Sequence, residues 1–252
     1  MPQTVTPVDP GLPTVRAVPV APDLLRPMAD PVAELDRQVA VQIRLGAAAL
    51  TGLSPEQLRD AVAPLRRMLP DVVGRESGAT DPTDHVPFAL VLNVDPNDAV
   101  PAMWRGTRPG VSVISRAEAA AYQGVEGLEV PGGTVYLLVD IDTGSEFCGV
   151  RPEDALVTVR GRGRTPLTMA EGIALATVRP DMLRPNRCFS LMGSRDGSQR
   201  VPAIWISERR AKLGWCWDRN PHTWLGAASA AARVAAGPAD AAAPAEAAAP
   251  VQ

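Results

Sequence analysis

The chain has few cysteines, histidines or aromatic residues, and almost no lysine. Its 252 residues include three Cys, two His, two Tyr and three Phe, and Lys212 is the single lysine. Cys148, Cys188 and Cys216 are too few and too irregularly spaced for a disulfide framework. None belongs to the short paired-cysteine motif that usually supplies two zinc ligands from one turn. No zinc is therefore expected, although His222 would complete a Cys₃His set. No apolar run approaches the ~20 residues of a membrane-spanning helix. The first residues lack the basic-then-apolar order of a secretory signal, so a cytoplasmic setting with reduced thiols is expected. Formal net charge is −3, from 25 basic and 28 acidic residues. That balance argues against nucleic acid and anionic membrane as partners, because both are held by a strongly basic surface. A phosphate-binding glycine-lysine loop, GxGxxG after a strand, GxSxG and HExxH are missing as well. No cofactor is expected.

Proline and alanine are plentiful, and they are unevenly placed. Pro2, Pro7, Pro10, Pro13, Pro19, Pro22 and Pro27 crowd the first thirty positions, where they favour extended, solvated chain. From Ser229 the chain reads SAAARVAAGPADAAAPAEAAAPVQ, with too little apolar surface to offset its ordering entropy. Residues 1–29 and 229–252 are thus expected to be disordered, and 30–228 to form one domain. The near-exclusive use of arginine reads as the codon bias of a GC-rich genome.

Within that domain the periodicities predict an α+β fold: an N-terminal helical pair (30–70) packed on a mixed, mainly antiparallel sheet with short helices (85–228). Asp30 and Pro31 suit the start of the first helix, and Val32, Leu35, Val39 and Ile43 recur at helical spacing. Ser54 and Gln57 form a capping box for the second, which Pro64 should kink or shorten. The polar stretch GRESGATDPTD reads as a linker, with His85 exposed just after it. Strands are predicted at 86–94, 111–115 and 133–144. Ser115 with Glu118, and Thr168 with Glu171, make two further capping boxes. CFSLMGS and VPAIWIS read as strands around a turn at Asp196-Gly197.

Three places can carry chemistry. In GRGRTPL, Arg162 and Arg164 stand before a helix start, a combination that attracts anions; a solvated turn is the plainer reading. In DID, Asp140 and Asp142 share a face of a strand and can meet a cation, water or arginine. KLGWCWDRNPHTWLG holds Trp215, Trp217 and Trp224, with His222 and Arg219. Trp215 and Trp217 share a face if extended, and an indole wall with a polar group suits a pocket edge as well as a core corner. His222 has the side chain best matched to proton transfer, and Asp140 or Asp142 would orient it.

The stretches TPLTMAEGIALATVRPDMLRPNRCFSLMGSR, VPAIWIS and KLGWCWDRNPHTWLG together resemble an uncharacterised actinobacterial family, a domain of unknown function, over residues 30–228. The resemblance implies a bacterial cytoplasmic setting and no particular reaction. The expected function is the handling of an anionic or aromatic small molecule, with an enzyme of specialised metabolism as one form of it. Trp215, Trp217, Trp224, Arg162, Arg164 and Arg219 would bind, and His222, Asp140 and Asp142 would do the chemistry. The alternative is a non-catalytic interaction or regulatory protein whose tryptophan segment is core or a partner-binding patch.

Overall fold

A computed structural model describes residues 20–73 and 77–236. The chain forms an α+β fold built on two main sheets. Helix α1 (Pro31–Arg44) starts where Asp30 accepts the Ala33 N–H at 2.8 Å. Its buried face takes in Leu35 and Val39 of the predicted apolar stripe but extends well beyond it. Val32 is 36% exposed, whereas Glu34, Arg37, Gln38 and Gln42 are buried beside Leu35 and Val39. The reason lies in strand β1 (His85–Leu92), an edge strand whose backbone groups need partners. Gln38 supplies them, accepting from Leu90 N at 2.7 Å and donating to Phe88 O at 3.2 Å. A glutamine ladder stands in for a neighbouring strand.

Helix α2 (Pro55–Val73) begins at the expected Ser54–Gln57 box and runs unbroken through Pro64 and Pro70. Pro64 does not shorten it. The carbonyls deprived of a donor belong to Asp60 and Arg66, exposed residues where water can take the bond. After β1 come a helical turn α3 (Pro96–Ala99), β2 (Val111–Ser112), α4 (Arg116–Ala121) and β3 (Gln123–Gly124). Strand β4 (Val135–Asp142) is buried along its whole length. Helix α5 (Pro152–Gly161), β5 (Thr165–Pro166) and α6 (Met169–Val178) follow. Both remaining capping boxes, at Ser115 and Thr168, are formed.

The first sheet runs β1-β4-β11-β5, where β11 is Ser229–Val234. This strand lies in the segment expected to be disordered. Its alanines contribute little apolar area, and it is held by its ladder to β4 and by Arg233, whose guanidinium grips the buried Glu171 at 2.5 and 2.7 Å. The first expected boundary moves too. Val20 is buried, Leu24 O accepts from Arg37 and Met28 N donates to Glu34, so order reaches back to residue 20. Residues 1–19 and 237–252 lie outside the described residues.

The second sheet runs β10-β6-β8-β9-β2, with β6 Cys188–Ser190, β8 Arg200–Ser207, β9 Arg210–Trp217 and β10 Leu225–Ala227. It is mixed: β10–β6 and β2–β9 are parallel, the others antiparallel. A short β7 (Ser194–Arg195) pairs with β3 ahead of the Gly197 turn. The tight hairpin is β8–β9. Its two turn residues, Glu208 and Arg209, have φ of +51° and +63°, the left-handed pair that matches strand twist, although neither is glycine.

Candidate functional site

The first polar cluster sits where β4 ends in Asp140-Ile141-Asp142. Asp140 has φ +49°, a left-handed conformation that a short polar side chain tolerates better than most. Its carboxylate accepts from Arg164 Nη1 at 2.7 Å and Gly78 N at 3.1 Å, and lies 3.1 Å from His85 Nε2. Burial pushes its pKa up, but Arg164, the Gly78 N–H and His85 together hold it below the usual value. Arg164 also donates through Nε to Ser229 Oγ at 2.9 Å. Asp142 behaves oppositely. Burial raises its pKa, the nearby Asp84 adds to the rise, and the Gly144 N–H at 2.7 Å only partly offsets it. Asp84 is itself 1% exposed and takes Arg184 and the Ser145 N–H. Arg162 completes the cluster, chelating Glu146 at 2.5 and 3.0 Å. Each of these guanidinium groups has a carboxylate partner, although Arg184 Nε is buried without a hydrogen-bond partner among the described residues.

His85 is therefore not a plain exposed linker residue. It opens β1, its side chain is 25% exposed, and β-pairing opposite Asp142 brings its ring to Asp140. The preceding stretch is also more than a linker, since Gly78 and Thr80 bond to the β4 carboxylates. Residues 74–76 of that stretch lie outside the described residues.

The second cluster is built on the β8–β9 ribbon. Register pairs Arg200 with Trp217, Pro202 with Trp215 and Trp205 with Lys212. Alternation then puts Trp215, Trp217 and Arg200 on one face, and Trp205, Lys212 and Gly214 on the other. Trp215 and Trp217 share the first face, as expected of an extended segment, and there they meet edge to face at 5.1 Å. The Arg200 guanidinium lies 4.3 Å from the Trp215 ring, and Trp217 is 46% exposed. On the other face Trp205 meets Trp224 at 6.0 Å, and Trp224 meets the His222 ring at 5.4 Å. The outer edge of the Trp205 ring packs on Gly214, where an added Cβ would come within 2.2 Å of the indole. Burial lowers the His222 pKa, which favours the neutral imidazole. His222 O accepts from Gly149 N at 2.9 Å and so ties this loop to the segment after Phe147.

Lys212 stands out here. It is 7% exposed, its ammonium is 6.0 Å from the Trp205 ring centroid, and among the described residues it has no hydrogen bond or ion pair. Burying a lysine without a counter-charge is costly, so an anion that reached it would be favoured.

The nine residues singled out from sequence thus fall in separate places. His222 and Trp224 come together, on the face opposite Trp215 and Trp217. Asp140, Asp142 and Arg164 gather at the end of β4, where their bonds run to one another and to His85, Ser229 and Gly144. Arg162 is held by Glu146, and Arg219 extends from the surface with its side chain 68% exposed, 3.4 Å from Glu153. Trp205, Lys212 and His85 were missed as site residues, and only the strand register could have placed them. The three cysteines are free thiols, and among the described residues no group of three or more His, Cys, Asp and Glu is arranged to hold a metal ion. Nor is any helix there long and apolar enough to cross a membrane.

Two main sheets with helices, and an aromatic and cationic face on the second, define an α+β protein with a candidate site on that sheet. Compared with known families, the chain matches the family of unknown function DUF5701 over residues 41–236, and it belongs to that family. The match takes in β11. No curated protein and no solved structure matches the chain.

Proposed function

We propose that the protein binds an anionic aromatic small molecule on the face of the second sheet that carries Trp205, Trp224 and His222. The observation that supports this is Lys212, a nearly buried ammonium beside an indole with no counter-charge of its own. An aromatic ring packs on the tryptophan edges, the anion answers Lys212, and neutral His222 offers a hydrogen bond. Arg162 and Arg164 are not assigned to the ligand, because Glu146 and Asp140 already neutralise them. Asp140 and Asp142 are likewise left out of any catalytic role with His222. The reading is one of binding, in a cytoplasmic bacterial protein.

A thermal-shift and tryptophan-fluorescence screen of aromatic acids tests it. At least one acid, such as indole-3-acetate, should stabilise the fold by mass action, and Trp224→Leu should remove the response while Trp217→Leu leaves it. A response that follows Trp217 instead would favour the second reading. That reading is an interaction patch on the Trp215–Trp217–Arg200 face, and the exposure of Trp217 favours it.

A further inference from the structure

Lys212 is not the only cation left without a carboxylate near Trp205. Arg210 precedes it by two residues on β9 and so projects from the same face. Its Nε is buried and has no hydrogen-bond partner among the described residues. Arg108 donates to Glu208 O at 3.0 Å, which brings its guanidinium to the tip of the same hairpin. Arg105, bridged to Arg108 through the backbone, has a charge close enough to the Cys188 thiol to oppose the effect of burial on it. Cys188 adjoins Phe189, the partner of Ile204, and is therefore next to Trp205 across the β6–β8 pair. Among the described residues none of these four cations forms an ion pair, and the Glu208 carboxylate at the tip reaches none of them.

A single carboxylate would leave most of this charge unanswered. A phosphate monoester carries close to two negative charges at neutral pH and offers three acceptor oxygens, which suits several guanidinium and ammonium donors at once. The half-buried indoles of Trp205 and Trp224, set edge to face, offer a ring face on which any nucleobase can stack without sequence preference. Resting on the reading that this face binds anionic aromatic compounds, we infer that the ligand is a phosphorylated one, a nucleotide, with its base against Trp205 and Trp224. Its phosphate sits among Lys212, Arg210 and Arg108. The chain has no glycine-lysine phosphate loop, so side chains on a strand and an adjoining loop replace backbone amides as the phosphate contacts.

The test titrates the full chain with AMP, UMP, ATP, adenosine, inorganic phosphate and indole-3-acetate, read by tryptophan fluorescence and melting temperature. The nucleotides should bind at least tenfold more tightly than adenosine, phosphate or indole-3-acetate. Lys212→Met and Arg210→Met should each weaken AMP at least tenfold while leaving adenosine unchanged, and Lys212→Arg should restore most of the loss. Indole-3-acetate binding as tightly as AMP, or both methionine variants leaving AMP unaffected, would overturn the nucleotide inference and keep the broader reading. A face that binds none of the six compounds would sink both. A single-stranded oligonucleotide bound more than tenfold more tightly than ATP would overturn the inference in favour of a nucleic-acid partner.

Discussion

At the end of β4, Arg162, Arg164 and Arg184 are matched by Glu146, Asp140 and Asp84. Around Trp205, Arg105, Arg108, Arg210 and Lys212 have no carboxylate within reach among the described residues. The two regions use the same side-chain chemistry to different ends. Paired charges in the first close the polypeptide on itself: Arg164 ties β4 to β11 through Asp140 and Ser229, and Arg184 ties the 180s loop to Asp84. The cations of the second have no carboxylate of their own: Arg108 donates to the backbone at the hairpin tip and Lys212 lies against Trp205. A net charge of −3 hides the contrast, because the acidic residues that balance the total lie elsewhere. Composition bounds the average surface and says nothing of one face.

The sharpest way to test the contrast is to remove one member of a matched pair. Arg164 and Asp140 are 9% and 8% exposed, so Arg164→Met strands a buried carboxylate. The loss should be about 3–5 kcal/mol in urea unfolding, the range for breaking a buried pair from one side. A loss under about 1 kcal/mol would mean that the pairing in the first region is incidental.

A smaller effect separates the regions by pH. Asp140 has its folded pKa lowered, so its stabilisation is present above the unfolded value of ~3.9 and is lost as pH falls through the folded one. Asp142, with its pKa raised, works the other way, and its penalty is relieved as the solution becomes acid. His222 has a lowered pKa, so its contribution is intact above ~6.5 and is lost as pH falls below that. Melting temperatures from pH 7 to pH 5 should therefore decline, and His222→Gln should flatten the decline. An unchanged slope in the variant would show that His222 titrates as it does in unfolded chain.

Much of the architecture was legible in the sequence. Caps at Asp30, Ser54, Ser115 and Thr168 were readable because each is a local rule, a side chain three residues from the N–H it serves. The apolar run of β4 was readable for the same reason. What failed was whatever depends on a distant partner. Strand β11 reads SAAARV, with one large apolar residue, and distant partners make it a strand: β4, β5 and Glu171. Gln38 looks like a surface residue until β1 presents its bare edge. The tryptophan segment was rightly seen as unusual. Its division between two faces, and the meeting of Trp205 with Trp224, follow from a hairpin whose turn residues carry no glycine signal. His85 and Lys212 went unassigned because a single charge in sequence has no visible neighbour.

The smallest expected effect is the most telling. Lys212→Met replaces an ammonium with a thioether of similar length on a buried stem, and keeps its packing against Trp205. If the charge had a hidden structural partner, that partner would be left unsatisfied and the variant would lose ~1–3 kcal/mol. With no ion-paired or hydrogen-bonded partner, the substitution exchanges a cation–π contact at 6.0 Å for relief of a desolvation cost, so stability should stay within about 0.5 kcal/mol of the parent or rise. Urea unfolding of the two proteins without ligand measures the difference directly. A loss approaching that of Arg164→Met would put Lys212 in the same class as the arginines at the end of β4. Neutrality here beside a large loss there is what a face kept for binding requires, because charges that stabilise nothing in the free protein are retained at the expense of folding energy.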